Sequence, residues 1–320
     1  AMGAAESMET AVGATILGVG SYLPKRIVTN AELVETFPEI TEEYVHQVTG
    51  IHQRHWAEDG EKPSDMAYAA SLEAIRNAGI ATKEIDAIIL STTTPDVAMP
   101  STACILQDRL SLGTSPAFDL NAACSGWLYA VSVARGMILS KMARNVLTVG
   151  VDVQSQLIDR TDRNTCFIFG DAAGAAIVSA DQGGHRICEV TLGADTRGLH
   201  MARRDEPGYV VANGSSNVDP WIRMDGQALF RFATESFAGI IRDAIVKTGW
   251  TPEDTRWIIP HQANGRILKA AAKRAGIPFA RFYLNVERVG NTSSASIPLA
   301  LIEVEDTLSP GDKLILCSVG

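Results

Sequence analysis

The sequence predicts an α/β fold assembled from two similar halves. Three observations carry that reading: apolar runs of strand length alternate with helical patterns, the alternation restarts after Gly183-Gly184, and in each half a polar cluster follows directly on a strand. In chain order, strands are expected at 14–19, 85–90, 116–120, 146–151 and 173–178. Between the first two, a helix runs from Ser64, as N-cap ahead of Asp65, through Met66, Ala69, Leu72 and Ile75 to a stop at Gly79. Its apolar stripe faces a sheet. After Gly183-Gly184 a strand is expected at 187–192, a long helix at 227–248, a strand at 256–260 and a helix at 297–305. The Gly-, Asn- and Asp-rich stretch 195–220 reads as an irregular surface excursion. The halves are 13–184 and 185–320, joined without a Pro- or Ser-rich linker, and are expected to pack as one body. Residues 1–12 read as a disordered or partly vector-derived tail.

The chain has 320 residues, enough for about two units of roughly 150 residues each. Apolar residues make up 46% and charged residues 20%, the composition of a folded globular protein. The net charge of −9 lacks the basic excess that holds a phosphate backbone, so nucleic acid is not an expected partner. Cys104, Cys124, Cys166, Cys188 and Cys317 form no C-x-x-C pair or Cys/His cluster, so neither a metal site nor a disulfide framework is signalled. A reducing cytoplasm fits that usage. The longest nearly apolar run, 172–180, falls far short of the roughly 20 residues of a membrane helix, so no membrane span is expected.

Chemistry is expected beyond the carboxyl ends of strands, where open α/β sheets bind ligands. Cys124 follows a strand and opens the helical pattern Ser125-Gly126-Trp127-Leu128, which places its sulfur at a helix N-terminus and favours the thiolate. Taken alone it is equally a small buried hydrophobe. His261, flanked by Gln262 and Asn264, follows another strand in a polar cluster that a core would not choose, yet a lone histidine is also a common structural residue. Asn291, in a small polar loop ahead of a helix, also reads as a turn asparagine.

Together the three fall in ordered motifs: Cys124 in NAACSG, His261 in HQAN and Asn291 in GNTSSAS. With SYLP at 21–24, TGI at 49–51, PSTAC at 100–104, FGDAAGAA at 169–176 and MDG at 224–226, the chain resembles β-ketoacyl-acyl-carrier-protein synthase III over nearly its whole length. The resemblance implies a thiolase-like fold, with duplicated βαβαβαββ halves in a five-layered αβαβα body, as a cytoplasmic homodimer. It implies that Cys124 takes the acyl group of an acyl-CoA, after which malonyl-acyl carrier protein is decarboxylated and condensed while His261 and Asn291 stabilise the enolate. No metal or redox cofactor is implied.

Among ligand residues, the resemblance puts Arg163 beside the CoA adenine, Tyr44 in place of a stacking tryptophan and Val48 in place of a phosphate-binding arginine. Asn264 and Gly226 match the pantetheine channel. Met99 stands where relatives have a phenylalanine contributed to the partner's acyl pocket. Arg266, Lys269, Lys273 and Arg274 form a basic cluster that reads either as a dock for the acidic carrier protein or as an ordinary solvated helix face. No Lys or Arg lies between Leu110 and Arg135, so a neutral starter is expected. Relatives continue past the position of Gly320 with glycines, one of which supplies an oxyanion amide. Three other readings stand beside this one. A specialised family member of polyketide or secondary metabolism would use a different acceptor. A thiolase-type reaction would use Cys317 as base, although Cys317 also reads as an ordinary strand residue. A degenerate family member would serve only as a binding subunit.

Overall fold

The computed structural model describes residues 13–205 and 218–320; the expected tail and residues 206–217 of the expected excursion lie outside them. The strands are β1 (Thr15–Tyr22), β2 (Arg26–Thr29), β3 (Gln53–Trp56), β4 (Ala87–Ser91), β5 (Ala117–Leu120), β6 (Asn145–Asp152), β7 (Ala172–Ser179), β8 (His185–Arg186), β9 (Ala202–Arg203), β10 (Arg223–Met224), β11 (Thr255–Pro260) and β12 (Lys313–Cys317). The helices are α1 (Asn30–Val34), α2 (Glu42–Thr49), α3 (Pro63–Ala78), α4 (Thr102–Arg109), α5 (Gly126–Leu139), α6 (Gly226–Thr248), α7 (Gly265–Ala275), α8 (Val286–Val289) and α9 (Ser296–Val304).

One mixed sheet runs β5-β4-β6-β7-β1-β8. In it β4 is parallel to β5 and β6, and β7 is antiparallel to β6 and β1. β4, β6 and β7 are buried along their whole lengths, which is why they read as continuous apolar runs rather than as alternating ones.

Side-chain parity builds the layers. On one face Ile88, Leu90, Leu147, Val149, Ala175 and Ile177 pack against Met66, Ala70 and Ala74 of α3 and Leu106 of α4. On the other, Ala87, Ile89, Val146, Ala176 and Val178 meet Trp127 and Ile138 of α5 and Ile297 and Leu301 of α9. Ile259, Leu314 and Leu316 close this middle helical layer from beyond, in the parallel pair β11–β12. The opposite side chains of that pair, Ile258, Ile315 and Cys317, pack on Phe237 and Ile241 of α6 and Leu268 of α7. The stack is therefore α, β, α, β, α, the five-layered arrangement of the thiolase fold.

Two local expectations are corrected. α3 begins at Pro63 rather than being capped by Ser64: Lys62 N–H donates to Asp65 Oδ2 at 2.9 Å, and Ser64 lies inside the helix with its Oγ donating to Asp96 Oδ2 at 2.6 Å. Gly79 does end it, at φ 68°. No strand forms at 187–192. The chain instead pairs only His185 and Arg186 with Ile16 and Thr15, followed by one Ile187 N–H donated to Ala14 O. Among the described residues the second half is consequently lighter in strands than the first, and β11–β12 form its sheet layer.

Candidate active site

Cys124 is placed by the end of β5 and the start of α5. Past the strand, Ala123 adopts a left-handed φ of 46°, its N–H donating to Asn121 Oδ1 at 3.2 Å, and the tight turn Ala123–Ser125 hands the chain to the helix. At Gly126 an added Cβ would sit 1.7 Å from Ser91 Oγ, so only glycine lets the helix start this close to β4. Ser318 Oγ donates to Cys124 O at 3.1 Å, and Gly320 packs on the backbone nitrogens of Cys124 and Ser125.

His261 follows β11, is buried, and donates its N–H to Cys317 O at 2.7 Å. Gln262 beside it is fully buried, contrary to the reading of this cluster as one a core would avoid. Its burial is possible because its N–H and both side-chain polar atoms are satisfied: N–H to Ser296 Oγ (2.6 Å), Nε2 to the Pro260 and Tyr283 carbonyls (3.0 Å each), and Oε1 accepting from Asn285 and Val286 N–H (3.0 and 3.2 Å). Asn291 is held by its backbone, which exchanges hydrogen bonds with Ile168 O and Gly170 N–H at 2.9 Å each. Its Oδ1 accepts from Ser293 N–H at 2.9 Å and its Nδ2 donates to Ala263 O at 3.5 Å. The Ser293 side chain in turn hydrogen-bonds the Cys124 thiol. The three segments carrying Cys124, His261 and Asn291 are thus tied into one cluster.

Electrostatics here reverse one expectation. Burial pushes the Cys124 thiol up to about 11, opposed by the Ser293 hydrogen bond, so the resting group is a thiol. Desolvation of a charged sulfur is the largest influence on this thiol, ahead of the Ser293 hydrogen bond. Burial likewise pushes His261 down to about 3, and its Nδ1 has no hydrogen-bond partner among the described residues, so the imidazole is neutral at working pH. Because the nucleophilic form is the thiolate, the alkylation rate of Cys124 by iodoacetamide is expected to rise about tenfold per pH unit from pH 7 toward 11. A rate already flat between pH 7 and 9 would contradict the raised value.

Sequence reading missed the residues that hold this cluster. Ser293, at φ 52°, and Ser318 contact Cys124 from far along the chain. Asp152, wholly buried at the end of β6, accepts from Thr93 N–H (2.7 Å) and Oγ1 (2.8 Å) and from Ser294 N–H (3.1 Å) and Oγ (2.7 Å). It braces the Asn291 loop against the sheet. A carboxylate ending a largely apolar strand was the readable signal. At Gly150 an added Cβ would come 2.3 Å from Ser294 O, so the loop rests directly on the strand backbone.

The expected ligand residues are less tightly gathered. Asn264 caps α7, accepting from Arg266 and Ile267 N–H, and its Nδ2 donates to Val48 O at 3.3 Å, which ties the cluster to α2. Tyr44 lies on α2 and is half exposed; Arg163 is exposed. Gly226 opens α6 with free space around it, so packing does not demand a glycine there. Met99 is 85% exposed in the protomer. On α7, Ile267, Leu268, Ala271 and Ala272 face inward, leaving Arg266, Lys269, Lys273 and Arg274 outside. Arg274 pairs with Glu235 at 2.9 Å and Arg266 lies over the Phe230 ring.

Comparison with known proteins places this geometry. Residues 118–196 match the family model for 3-oxoacyl-[acyl-carrier-protein] synthase III, and residues 245–320 match the model for its C-terminal part. The chain is 42% identical to the β-ketoacyl-[acyl-carrier-protein] synthase III of Laribacter hongkongensis over 96% of its length and 95% of that protein's. It is 40% identical to the enzyme of the same name from Rhodobacter capsulatus, covering 97% and 96%. The crystal structure of 3-oxoacyl-[acyl-carrier-protein] synthase III from Aquifex aeolicus superposes with a TM-score of 0.88 at 37% identity, covering 96% of each chain. With identity of this order over nearly the full length of both chains, the chain belongs to the 3-oxoacyl-[acyl-carrier-protein] synthase III family of condensing enzymes.

Proposed function

We propose that the chain catalyses the decarboxylative condensation of an acyl-CoA starter with malonyl-acyl carrier protein in fatty acid biosynthesis, with Cys124 as nucleophile and His261 and Asn291 as oxyanion donors. The observation that carries these roles is the hydrogen-bonded joining of three segments, each past the end of a different element, around one thiol. Sulfur of Cys124 attacks the starter thioester, the carbon–sulfur bond to CoA breaks, and the thiol proton leaves on CoA. Malonyl then loses carbon dioxide, and the electron pair of the broken bond becomes an enolate whose oxygen accepts from His261 Nε2–H and Asn291 Nδ2–H. A neutral imidazole suits this step, because an imidazolium would protonate the enolate. The enolate carbon attacks the acyl carbonyl, Cys124 leaves as thiolate and regains a proton from solvent. The steps are acyl transfers, one decarboxylation and proton transfers, with no external oxidant or reductant consumed, so the proposed chemistry asks for no redox cofactor or metal.

Arg266, Lys269, Lys273 and Arg274 are the proposed contacts for the acidic carrier protein, and Tyr44, Arg163, Asn264 and Gly226 those for CoA and pantetheine. A homodimer through the edge strand β5 is supported by exposed apolar side chains on or near that edge, Phe118 (38%), Val97 (47%) and Met99 (85%). Sedimentation at micromolar concentration is expected to give a species of twice the chain mass; a monomer there removes the reading. The cytoplasm is the proposed compartment; no helix among the described residues is long and apolar enough to cross a membrane, and all five cysteines are free.

The test is turnover with a panel of acyl-CoAs, scored by the mass of acyl-enzyme and by carbon dioxide released from labelled malonyl-carrier protein. Neutral starters are expected to load Cys124 and be condensed. Efficient use of succinyl-CoA would contradict the uncharged acyl site, and acyl-enzyme that never yields carbon dioxide would favour a non-decarboxylating acyltransferase.

A further inference from the structure

Away from the thiol, the last turn of α2, the residues just past its Gly50 cap and the short helix α8 bring together two imidazoles and a carboxylate. His46 and His52 stack with ring centroids 3.7 Å apart and planes 7° from parallel, and His52 Nε2 lies 3.3 Å from Glu287 Oε1. One ligand atom from each of the three residues lies within 4.8 Å of the others. The backbone beneath them is fixed: Gly50 N–H donates to His46 O at 2.7 Å and His52 N–H donates to Glu287 O at 2.9 Å. A tetrahedral ion with bonds of about 2.0–2.2 Å needs donors about 3.3 Å apart, so the rings would rotate out of their stack to converge on it.

We propose that His46, His52 and Glu287 form a binding site for a divalent transition-metal ion of the zinc class. Two neutral imidazoles and one carboxylate are the donor set such ions prefer over magnesium or calcium, and three protein ligands leave a position for water. The ligands are spaced by six residues around a helix cap and then drawn from a distant segment, so no sequence pattern announces them. The bound ion would staple α2, which carries Tyr44 and the Val48 carbonyl that receives Asn264, to the segment that runs through Gly290 into Asn291.

Binding of zinc to the whole protein, followed by calorimetry and by thermal unfolding, tests this without any catalytic readout. One equivalent is expected to bind and raise the unfolding temperature, in the natural protein and equally in Cys188→Ser, which removes the exposed thiol. His52→Ala and Glu287→Gln, both at exposed positions and outside the catalytic cluster, are expected to weaken binding by about a hundredfold or more while leaving the metal-free unfolding temperature near its original value. Undiminished zinc affinity in both variants would place the ion elsewhere, and absence of binding at millimolar zinc would leave an ordinary histidine stack; either overturns the proposal. Anomalous scattering at the zinc edge from soaked crystals is expected to peak between the three side chains.

Discussion

Replacing Cys124 by alanine is expected to abolish acyl-enzyme formation and to lower condensation by on the order of 10^4-fold or more. The two buried cysteines are poorly placed to take over the transfer. Cys317 is buried in β12, and burial pushes its thiol up to about 12; Cys166 is buried as well, with its thiol at about 12. Serine at 124 is expected to fail almost as completely, because a hydroxyl is a far weaker nucleophile than sulfur toward a thioester. Because the proposed oxyanion donors His261 and Asn291 are untouched, malonyl-carrier protein should still release carbon dioxide in Cys124→Ala. The measurement is intact-protein mass after incubation with an acyl-CoA, and a persisting acyl adduct in Cys124→Ala would sink the assignment.

How far the site could be read in advance depended on whether the controlling interaction was local. The elbow was legible because strand, small residues and helix follow one another within NAACSG, and the pattern itself dictates a tight turn. The sheet strands were legible for the same reason, since β4, β6 and β7 are buried on both faces and need no partner to be recognised as apolar. What failed was set by distant contacts. The run at 187–192 has strand composition, but the pairing with β1 stops just before it, at His185 and Arg186, and no pattern in the run itself reveals that limit. Gln262 looked too polar for a core because its five partners come from Pro260, Tyr283, Asn285, Val286 and Ser296, which only the fold assembles. The thiol's upward shift has a related origin: a helix terminus is visible in sequence, whereas the packing that desolvates the sulfur is not.

The two half-reactions are expected to separate at Asn291. Asn291→Ala removes one donor to the enolate oxygen while the backbone bonds to Ile168 and Gly170 stay in place, so the loop keeps its path. It also removes the acceptor of Ser293 N–H, and Ser293 holds the Cys124 thiol, so a small loss in acyl transfer is expected alongside the main effect. One preorganised donor is worth roughly 3 kcal/mol, so malonyl decarboxylation should fall by about a hundredfold to a thousandfold while Cys124 still takes up the starter. His261→Ala should show the same asymmetry, and because the imidazole is already neutral its loss should leave the pH dependence of acyl transfer between pH 6 and 8 unchanged. Two assays decide the matter: adduct mass on Cys124 and labelled carbon dioxide from malonyl-carrier protein. If Asn291→Ala decarboxylates malonyl at the natural rate yet forms no product, the residue acts on the condensation geometry and not on the enolate, and the division of labour between thiol and oxyanion donors is wrong.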